Sequence, residues 1–365
     1  MNLSTYTKEF SYNLKLSIPV ILGLLGHTLV GMVDNIMVGK LDPINLAAIS
    51  LGNSYIFIAM SIGIGFSAAI TPIVAEAHSE RNHKKLKTSF INGFILCLML
   101  GLFLYVLVLL LKETLIYLDQ PEEVVMLALP YLDIVAISLI PLLLFQALKQ
   151  FTDGLSKTIY PMYATVLANI INVIINYILI FGMLGFPKLG IIGAAIGTLV
   201  SRIIMFIFLF YTLMNKKIIN EYISDLKSFL YDKLMIKKIL NLGLPTSLQM
   251  FFEVGLFTSA IWLSGLLGEI PQSANQIVLN ISSMTFMVAS GLSISAAIRA
   301  GNQKGLNNYI ELKRISLSIL LLGICFALFF ALGIYFLRDY LPYIYIDISN
   351  QENYIENIAL VKIAS

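Results

Sequence analysis

Nine long apolar runs follow one another along the chain, and each is long enough to cross a bilayer as a helix. Helices satisfy their own backbone hydrogen bonds, so they suit a hydrocarbon layer of about 30 Å. The composition agrees, because 58% of the residues are hydrophobic and only 12% are charged. We therefore predict an all-α integral membrane protein. The predicted runs are 14–38, 44–75, 86–111, 124–148, 159–184, 190–214, 239–267, 273–298 and 310–337.

The basic residues are divided unequally between the two ends of these runs. If the amino terminus lies in the cytoplasm, 18 of the 24 Lys and Arg residues fall in cytoplasmic segments and four in outer segments. Cytoplasmic loops carry the excess of Lys and Arg in multi-pass proteins. The pattern predicts a cytoplasmic amino terminus. The net charge of +3 says little about partners, since the distribution of the charges matters more, and we expect no nucleic-acid partner.

The second part of the chain repeats the first. A shift of 226 residues aligns Pro19 with Pro245 and Gly65 with Gly291 without a gap. Six helices return the chain to the side where it began, so the two copies share one orientation. We expect them to be related by an axis along the membrane normal, with a cavity between them.

This repeat predicts a division of the chain into two lobes and a linker. The boundaries are 1–214 for the six-helix amino-terminal lobe, 215–238 for a cytoplasmic linker and 239–365 for the second lobe. The second lobe is incomplete, because the chain stops as a tenth helix begins near Ile355. About nine to ten helices of an expected twelve are present, which we interpret as a fragment or a truncated gene.

Two carboxylates lie within the apolar runs. Glu253 is at least ten residues from the nearest other charge on either side, which places it near mid-membrane. A carboxylate there is costly unless it is paired, protonated or facing water, so a functional site is the first interpretation. The alternative is a structural acid bonded to a neighbouring helix. Asp34 lies toward the outer end of the first helix, where an interface carboxylate and a functional one are both consistent with the sequence.

Polar side chains recur on one face of two further helices. Asn172 and Asn176 are four residues apart, which places them on the same face, and Gln276 and Asn280 repeat that spacing. Amides rarely face lipid, so these faces bond to other helices or line a wet cavity. Pro19 and Pro245 lie early in the first helix of each lobe and predict a kink, either static or used in gating.

These positions resemble the multidrug and toxic compound extrusion (MATE) transporters, in their NorM-type bacterial branch. The resemblance covers essentially the whole chain and is strongest in VDNIMVGKL, from residue 33, and from GLPTSLQMFFEV, at residue 243, through IRAGNQKG. It implies a two-lobe bundle of six-helix repeats in the bacterial inner membrane, exporting drugs or organic cations against Na⁺ or H⁺. In that family the positions of Asp34 and Glu253 couple ions, and those of the four amides line the lobes.

The same resemblance implies a monomer in the lipid bilayer that uses no cofactor beyond its coupling ion. The metal contact that it implies is Na⁺ near Glu253. The family's tenth helix supplies a further carboxylate beside this glutamate, and the chain ends before that position.

Three other functions are alternatives to drug export. A flippase for lipid-linked oligosaccharides, from the same superfamily, needs a cationic cavity for phosphate, and Arg202 is the one clear cation within the apolar runs. A membrane enzyme needs clustered His, Asp or Cys at one membrane face, and the sequence shows none. A truncated transporter without activity is the third alternative.

Overall fold

The structure, a computed structural model, describes residues 3–39, 41, 43–117, 121–220, 232–266 and 269–341. Every regular element in these ranges is helical, which confirms the predicted all-α fold. The α-helices are α1 Leu3–Gly39, α2 Pro43–Ala68, α3 Ile70–Ser79, α4 His83–Leu111, α5 Glu122–Ile137, α6 Leu139–Gly154, α7 Ile159–Phe181, α8 Ile191–Asn215, α9 Lys233–Leu266, α10 Glu269–Gly305 and α11 Tyr309–Leu337. A 3₁₀ helix, Lys112–Tyr117, follows α4.

The helices coincide with the predicted apolar runs, with two interruptions. The second run is divided at Ala69 between α2 and α3, and the fourth is divided at Ser138 between α5 and α6. The tenth run, near Ile355, lies outside the described residues.

Eight helical stretches in the described ranges are long and apolar enough to cross a membrane. They are Glu9–Val38, Ile44–Ser79, His83–Tyr117, Glu122–Gly154, Ile159–Phe181, Ile191–Asn215, Ile281–Gly305 and Tyr309–Leu337. Helix α9, which carries Glu253, has the length of a span and is not one of these eight.

Local side-chain chemistry marks where several helices begin and end. The carboxylate of Asp232 accepts hydrogen bonds from the amides of Leu234 and Met235 at 3.0 and 3.1 Å, so it caps the start of α9. The side chain of Asn82 accepts from the amide of Lys85 at 3.0 Å and caps α4. Gly182 ends α7 with φ +72°, a left-handed conformation that glycine adopts without strain.

The chain forms two compact units. One contains residues 22–251 and 297–312, with a core built from α2 through α8. In that core the ring of the fully buried Phe151 packs 4.7 Å from the ring of Phe90, measured between centroids. Large apolar side chains are also exposed on the outer faces of these helices, as at Phe103 and Ile174, so the helices read as continuous apolar runs, as membrane spans do.

Of the described residues, the other unit contains 3–21, 252–266, 269–296 and 313–341. Buried polar side chains join its helices: Asn13 donates to the Ser318 hydroxyl at 3.2 Å, and Ser17 donates to the Ser295 hydroxyl at 2.8 Å. All four side chains are fully buried. These bonds attach the first part of α1 to α10 and α11.

The internal repeat is also visible in the packing, because each unit contains one of two equivalent glycine contacts. A Cβ atom at Gly65 of α2 would lie 2.9 Å from the Cα of Ser247 in α9, closer than real Cβ contacts. The repeat equivalent of this pair is Gly291 with Ile21, and a Cβ at Gly291 would lie 3.3 Å from the Cα of Ile21. Glycine therefore allows the same close helix approach in both copies. The predicted lobe boundaries at 1–214, 215–238 and 239–365 stay a prediction.

Candidate functional site

The candidate site is built around Asp34, near the C-terminal end of α1. The side-chain amide of Asn176, from α7, donates a hydrogen bond to the Asp34 carboxylate at 2.7 Å. The same nitrogen donates to the Asn172 side-chain oxygen, one helical turn away, at 3.2 Å. Asn172 and Asn176 are buried and Asp34 is partly buried. Two of the predicted amides and one predicted carboxylate therefore meet in one hydrogen-bonded group.

The absence of a side chain at Gly197, in α8, makes room for Asn176. A Cβ atom there would overlap the Asn176 side-chain oxygen and would lie 3.0 Å from its Cγ. That oxygen is buried and accepts no hydrogen bond from the described residues. An unpaired buried acceptor is costly, so this oxygen is an unsatisfied group of the site.

Two charged or polar side chains that sequence reasoning did not assign to the site lie near Asp34. Arg202 of α8 and Tyr131 of α5 each interact electrostatically with the Asp34 carboxylate. The Tyr131 hydroxyl donates to the Asn53 side-chain oxygen at 2.8 Å. In the sequence, Arg202 stands out only as a lone cation in an apolar run. That isolation is the signal that could have assigned it to the site around Asp34.

The Arg202 guanidinium is held in position by neighbours other than Asp34. It donates to the Ser138 hydroxyl at 2.7 Å and contacts the Met60 sulfur at 3.1 Å. Arg202 is buried, so its charge acts through a medium that screens weakly. Among the described residues, the site thus combines the Arg202 guanidinium, the Asp34 carboxylate and the side-chain amide oxygens of Asn172 and Asn176.

These groups can bind a small cation. Hard cations such as Na⁺ are bound by carboxylate and amide oxygens, which Asp34, Asn172 and Asn176 supply. A proton could be held at the Asp34 carboxylate instead. Within the described residues, no group of three or more His, Cys, Asp or Glu could hold a metal ion, so a cation here would rely on the amides.

Glu253 lies in the middle of α9 and is partly exposed. No described residue gives its carboxylate a hydrogen bond or an ion pair, so the structure does not assign it a structural partner. Gln276 and Asn280 lie within α10, and their side chains are outside the described residues. Pro19 and Pro245 lie inside the continuous helices α1 and α9. The predicted roles of all five residues stay predictions.

The fold and the site describe a multi-pass membrane protein with a buried, charged, hydrogen-bonded centre. The model of the MatE family matches residues 19–178 and 245–361, which is more than half of the chain. The chain therefore belongs to the MatE family, the MATE transporters, as its sequence motifs indicated.

Two curated relatives and two solved structures illustrate the similarity. The multidrug resistance protein NorM of Photobacterium profundum is 29% identical over 94% of this chain and 76% of its own length. The probable multidrug resistance protein NorM of Rhizobium meliloti is 30% identical over 89% of this chain and 69% of its own. These matches confirm the predicted NorM-type branch.

The solved structures show the same fold. An outward-facing multidrug resistance MATE transporter of the MOP superfamily superimposes with a TM-score of 0.85 at 22% identity, over 97% of this chain and 77% of that one. A MOP-superfamily transporter from Pyrococcus furiosus gives a TM-score of 0.83 at 21% identity, over the same shares of each chain. The predicted MATE-like helical bundle is therefore confirmed.

Proposed function

We propose that this protein is a multidrug efflux antiporter, which exports drugs or organic cations in exchange for Na⁺ or H⁺ by alternating access between two lobes. The observation that carries the proposal is the bonded group of Asp34, Asn172 and Asn176 inside a MATE-type helical bundle. The relatives named multidrug resistance proteins support the substrate class. The transporter is a monomer of the inner membrane with its amino terminus in the cytoplasm, and it needs no cofactor beyond the coupling ion.

Asp34 has the role of the coupling carboxylate of the amino-terminal lobe. A low-dielectric site strengthens the attraction between its charge and an entering cation. Asn176 donates to the carboxylate, Asn172 accepts from the same Asn176 amide, and both residues offer amide oxygens to the ion. In the second lobe, Glu253 has the equivalent role, with Na⁺ beside it in a sodium-coupled protein, and Gln276 and Asn280 line the cavity. Pro19 and Pro245 allow the first helix of each lobe to bend during the exchange.

The oligosaccharide flippase is a weaker candidate. A phosphate-bearing substrate needs cationic side chains that are free to contact it, and Arg202 instead bonds to Ser138 and interacts electrostatically with the Asp34 carboxylate. The one buried guanidinium near the site is therefore already balanced by a negative charge.

The test is dye export from cells or vesicles under imposed Na⁺ and H⁺ gradients. The variant Asp34→Asn should abolish gradient-driven export while the protein still inserts in the membrane. A matched control is Asp133→Asn, which removes a carboxylate that pairs with Lys112 and is 45% exposed. The control should retain export. Undiminished export by Asp34→Asn would refute the proposed coupling role, and the gradient that drives export identifies the ion.

A further inference from the structure

A tight seam joins helices of the first repeat to helices of the second within one compact unit. Gly301 and Gly305 lie one turn apart on α10 and face α3. A Cβ atom at Gly301 would lie 2.8 Å from the carbonyl oxygen of Pro72, and one at Gly305 would overlap the carbonyl oxygen of Glu76. The backbones of α3 and α10 therefore approach as closely as small residues permit.

The Glu76 side chain, at this same place, is shared by three lysines. The Nζ atoms of Lys85 and Lys238 donate to its two carboxylate oxygens at 2.9 and 3.0 Å, and the Nζ of Lys304 lies 3.4 Å from the second of these oxygens. The Glu76 side chain is only 13% exposed. The four residues come from α3, α4, α9 and α10, so one carboxylate connects four helices.

A second set of bonds lies one turn further along α3. The Ser79 hydroxyl donates to the Asn302 side-chain oxygen at 3.0 Å, and the Asn302 amide donates to the Ser156 hydroxyl at 3.4 Å. These residues again connect the first-repeat helices to α10. Charge-assisted bonds at Glu76 are the stronger part of this contact.

We propose that Glu76 is the centre of an ionic latch, which holds the cytoplasmic ends of α3, α4, α9 and α10 together and must open when the interior is exposed to the cytoplasm. All three lysines belong to segments that the charge distribution assigns to the cytoplasm. Glu76 can bond to all of them only while the four helix ends are together. The proposal rests on the proposed alternating-access function.

The internal repeat does not duplicate the latch. The position equivalent to Glu76 in the second repeat is Asn302, which bears no charge. A single carboxylate therefore controls this contact, and its removal cannot be compensated by a symmetry-related copy.

The experiment measures how readily a water-soluble reagent reaches the contact between first-repeat and second-repeat helices, and it requires no transport assay. Ser247 of α9 is 6% exposed and its hydroxyl donates to the carbonyl oxygen of Ile62 in α2 at 2.9 Å. A cysteine is placed at Ser247 in protein whose Cys97 and Cys325 are replaced by alanine. The rate of its reaction with a charged methanethiosulfonate is then measured on the purified protein in detergent.

The variant Glu76→Gln should react about five- to thirtyfold faster, the factor that corresponds to a net loss of about 1–2 kcal/mol from a two-state equilibrium. The matched control is Glu80→Gln. Glu80 directly follows the end of α3 and bonds to Lys85 at 2.8 Å, so its loss breaks a similar ion pair within the first repeat alone. The control should react at the parent rate. An unchanged rate in Glu76→Gln, or an equal increase in Glu80→Gln, would overturn the latch.

A second variant decides the question if Glu76→Gln does not fold. The double substitution Lys238→Gln with Lys304→Gln keeps the Glu76–Lys85 pair and removes both second-repeat partners. It should accelerate the reaction in the same direction, and an unchanged rate would also overturn the proposal. The dye-export result for Asp34→Asn is independent of these rates, so failure of the proposed antiport and failure of the latch are distinguishable.

Discussion

The substitution Gly197→Ala tests whether the close contact between α7 and α8 maintains the coupling site. A methyl group at Gly197 would overlap the Asn176 side-chain oxygen and would also lie 3.5 Å from the Asn176 backbone nitrogen. The Asn176 side chain therefore has to rotate away. Its amide is the group that donates to Asp34 at 2.7 Å, so we expect this bond to be lost.

Two contributions set the size of the effect. Overpacking a well-filled helix contact costs about 1–3 kcal/mol of folding free energy. A hydrogen bond to a charged group contributes about 1.5–3 kcal/mol, and each 1.4 kcal/mol corresponds to a tenfold change in an equilibrium constant. We therefore expect the Na⁺ concentration for half-maximal export to rise at least about tenfold in a sodium-coupled protein, because the site loses a positioned amide oxygen. In a proton-coupled protein the H⁺ concentration for half-maximal export should instead fall, because the carboxylate loses a donor that stabilises its charge. These half-maximal concentrations are measured as export by vesicles, titrated with Na⁺ at fixed pH and with H⁺ at fixed Na⁺.

Gly193→Ala is the matched control for this experiment. Gly193 lies one turn earlier on α8, and a Cβ there would lie 2.7 Å from the carbonyl carbon of Leu179 in α7. It should therefore lower the thermal unfolding temperature by a similar amount without displacing Asn176. An equal shift in ion dependence for both variants, or none for Gly197→Ala, would refute the argument that Asn176 supports Asp34.

Three further predictions concern the remaining charged and polar residues. Glu253→Gln should abolish ion-driven export while leaving the amount of protein in the membrane unchanged, and export at the parent rate would contradict a coupling role. A cysteine at Asp34, Asn172 or Asn176 should react with a membrane-impermeant thiol reagent; complete protection of all three positions in every condition would mean that this face is a dry packing contact. Arg202→Gln removes a positive charge that interacts electrostatically with Asp34, so the half-saturating concentration of the coupling ion should fall. A rise in that concentration would show that Arg202 supports the site rather than opposing the ion.

The helices and one face of the site were predictable because both follow from short-range periodicity. The nine apolar runs coincide with helices because a backbone in hydrocarbon has few other ways to satisfy its polar groups. The spacing of four between Asn172 and Asn176 fixed their common face, and the structure joins that face to Asp34. Neither result required knowledge of which helices are neighbours.

The rest of the site depends on which helices meet, and no spacing in the sequence encodes this. Tyr131 is one of 18 tyrosines, and nothing around it in the sequence distinguishes it from a lipid-facing aromatic residue. Arg202 was visible as an isolated cation, but its carboxylate partner is on a helix far away in the chain. Glu76 precedes a basic loop and resembles a solvated residue, because two of its three lysine partners, Lys238 and Lys304, come from the second repeat.

The charge balance at Asp34 gives a physical reason for exchange. With both groups ionised, the Asp34 carboxylate and the buried Arg202 guanidinium, which interact electrostatically, sum to no net charge, so a single entering cation makes the site positive by one unit. A second cation would raise this to two units in a poorly screened interior, where each uncompensated charge carries a large desolvation cost. Under the proposed function, a coupling ion and a cationic drug that both depend on Asp34 therefore exclude each other. Arg202 strengthens this mutual exclusion, because its positive charge already offsets the negative charge of Asp34 that a second cation would need.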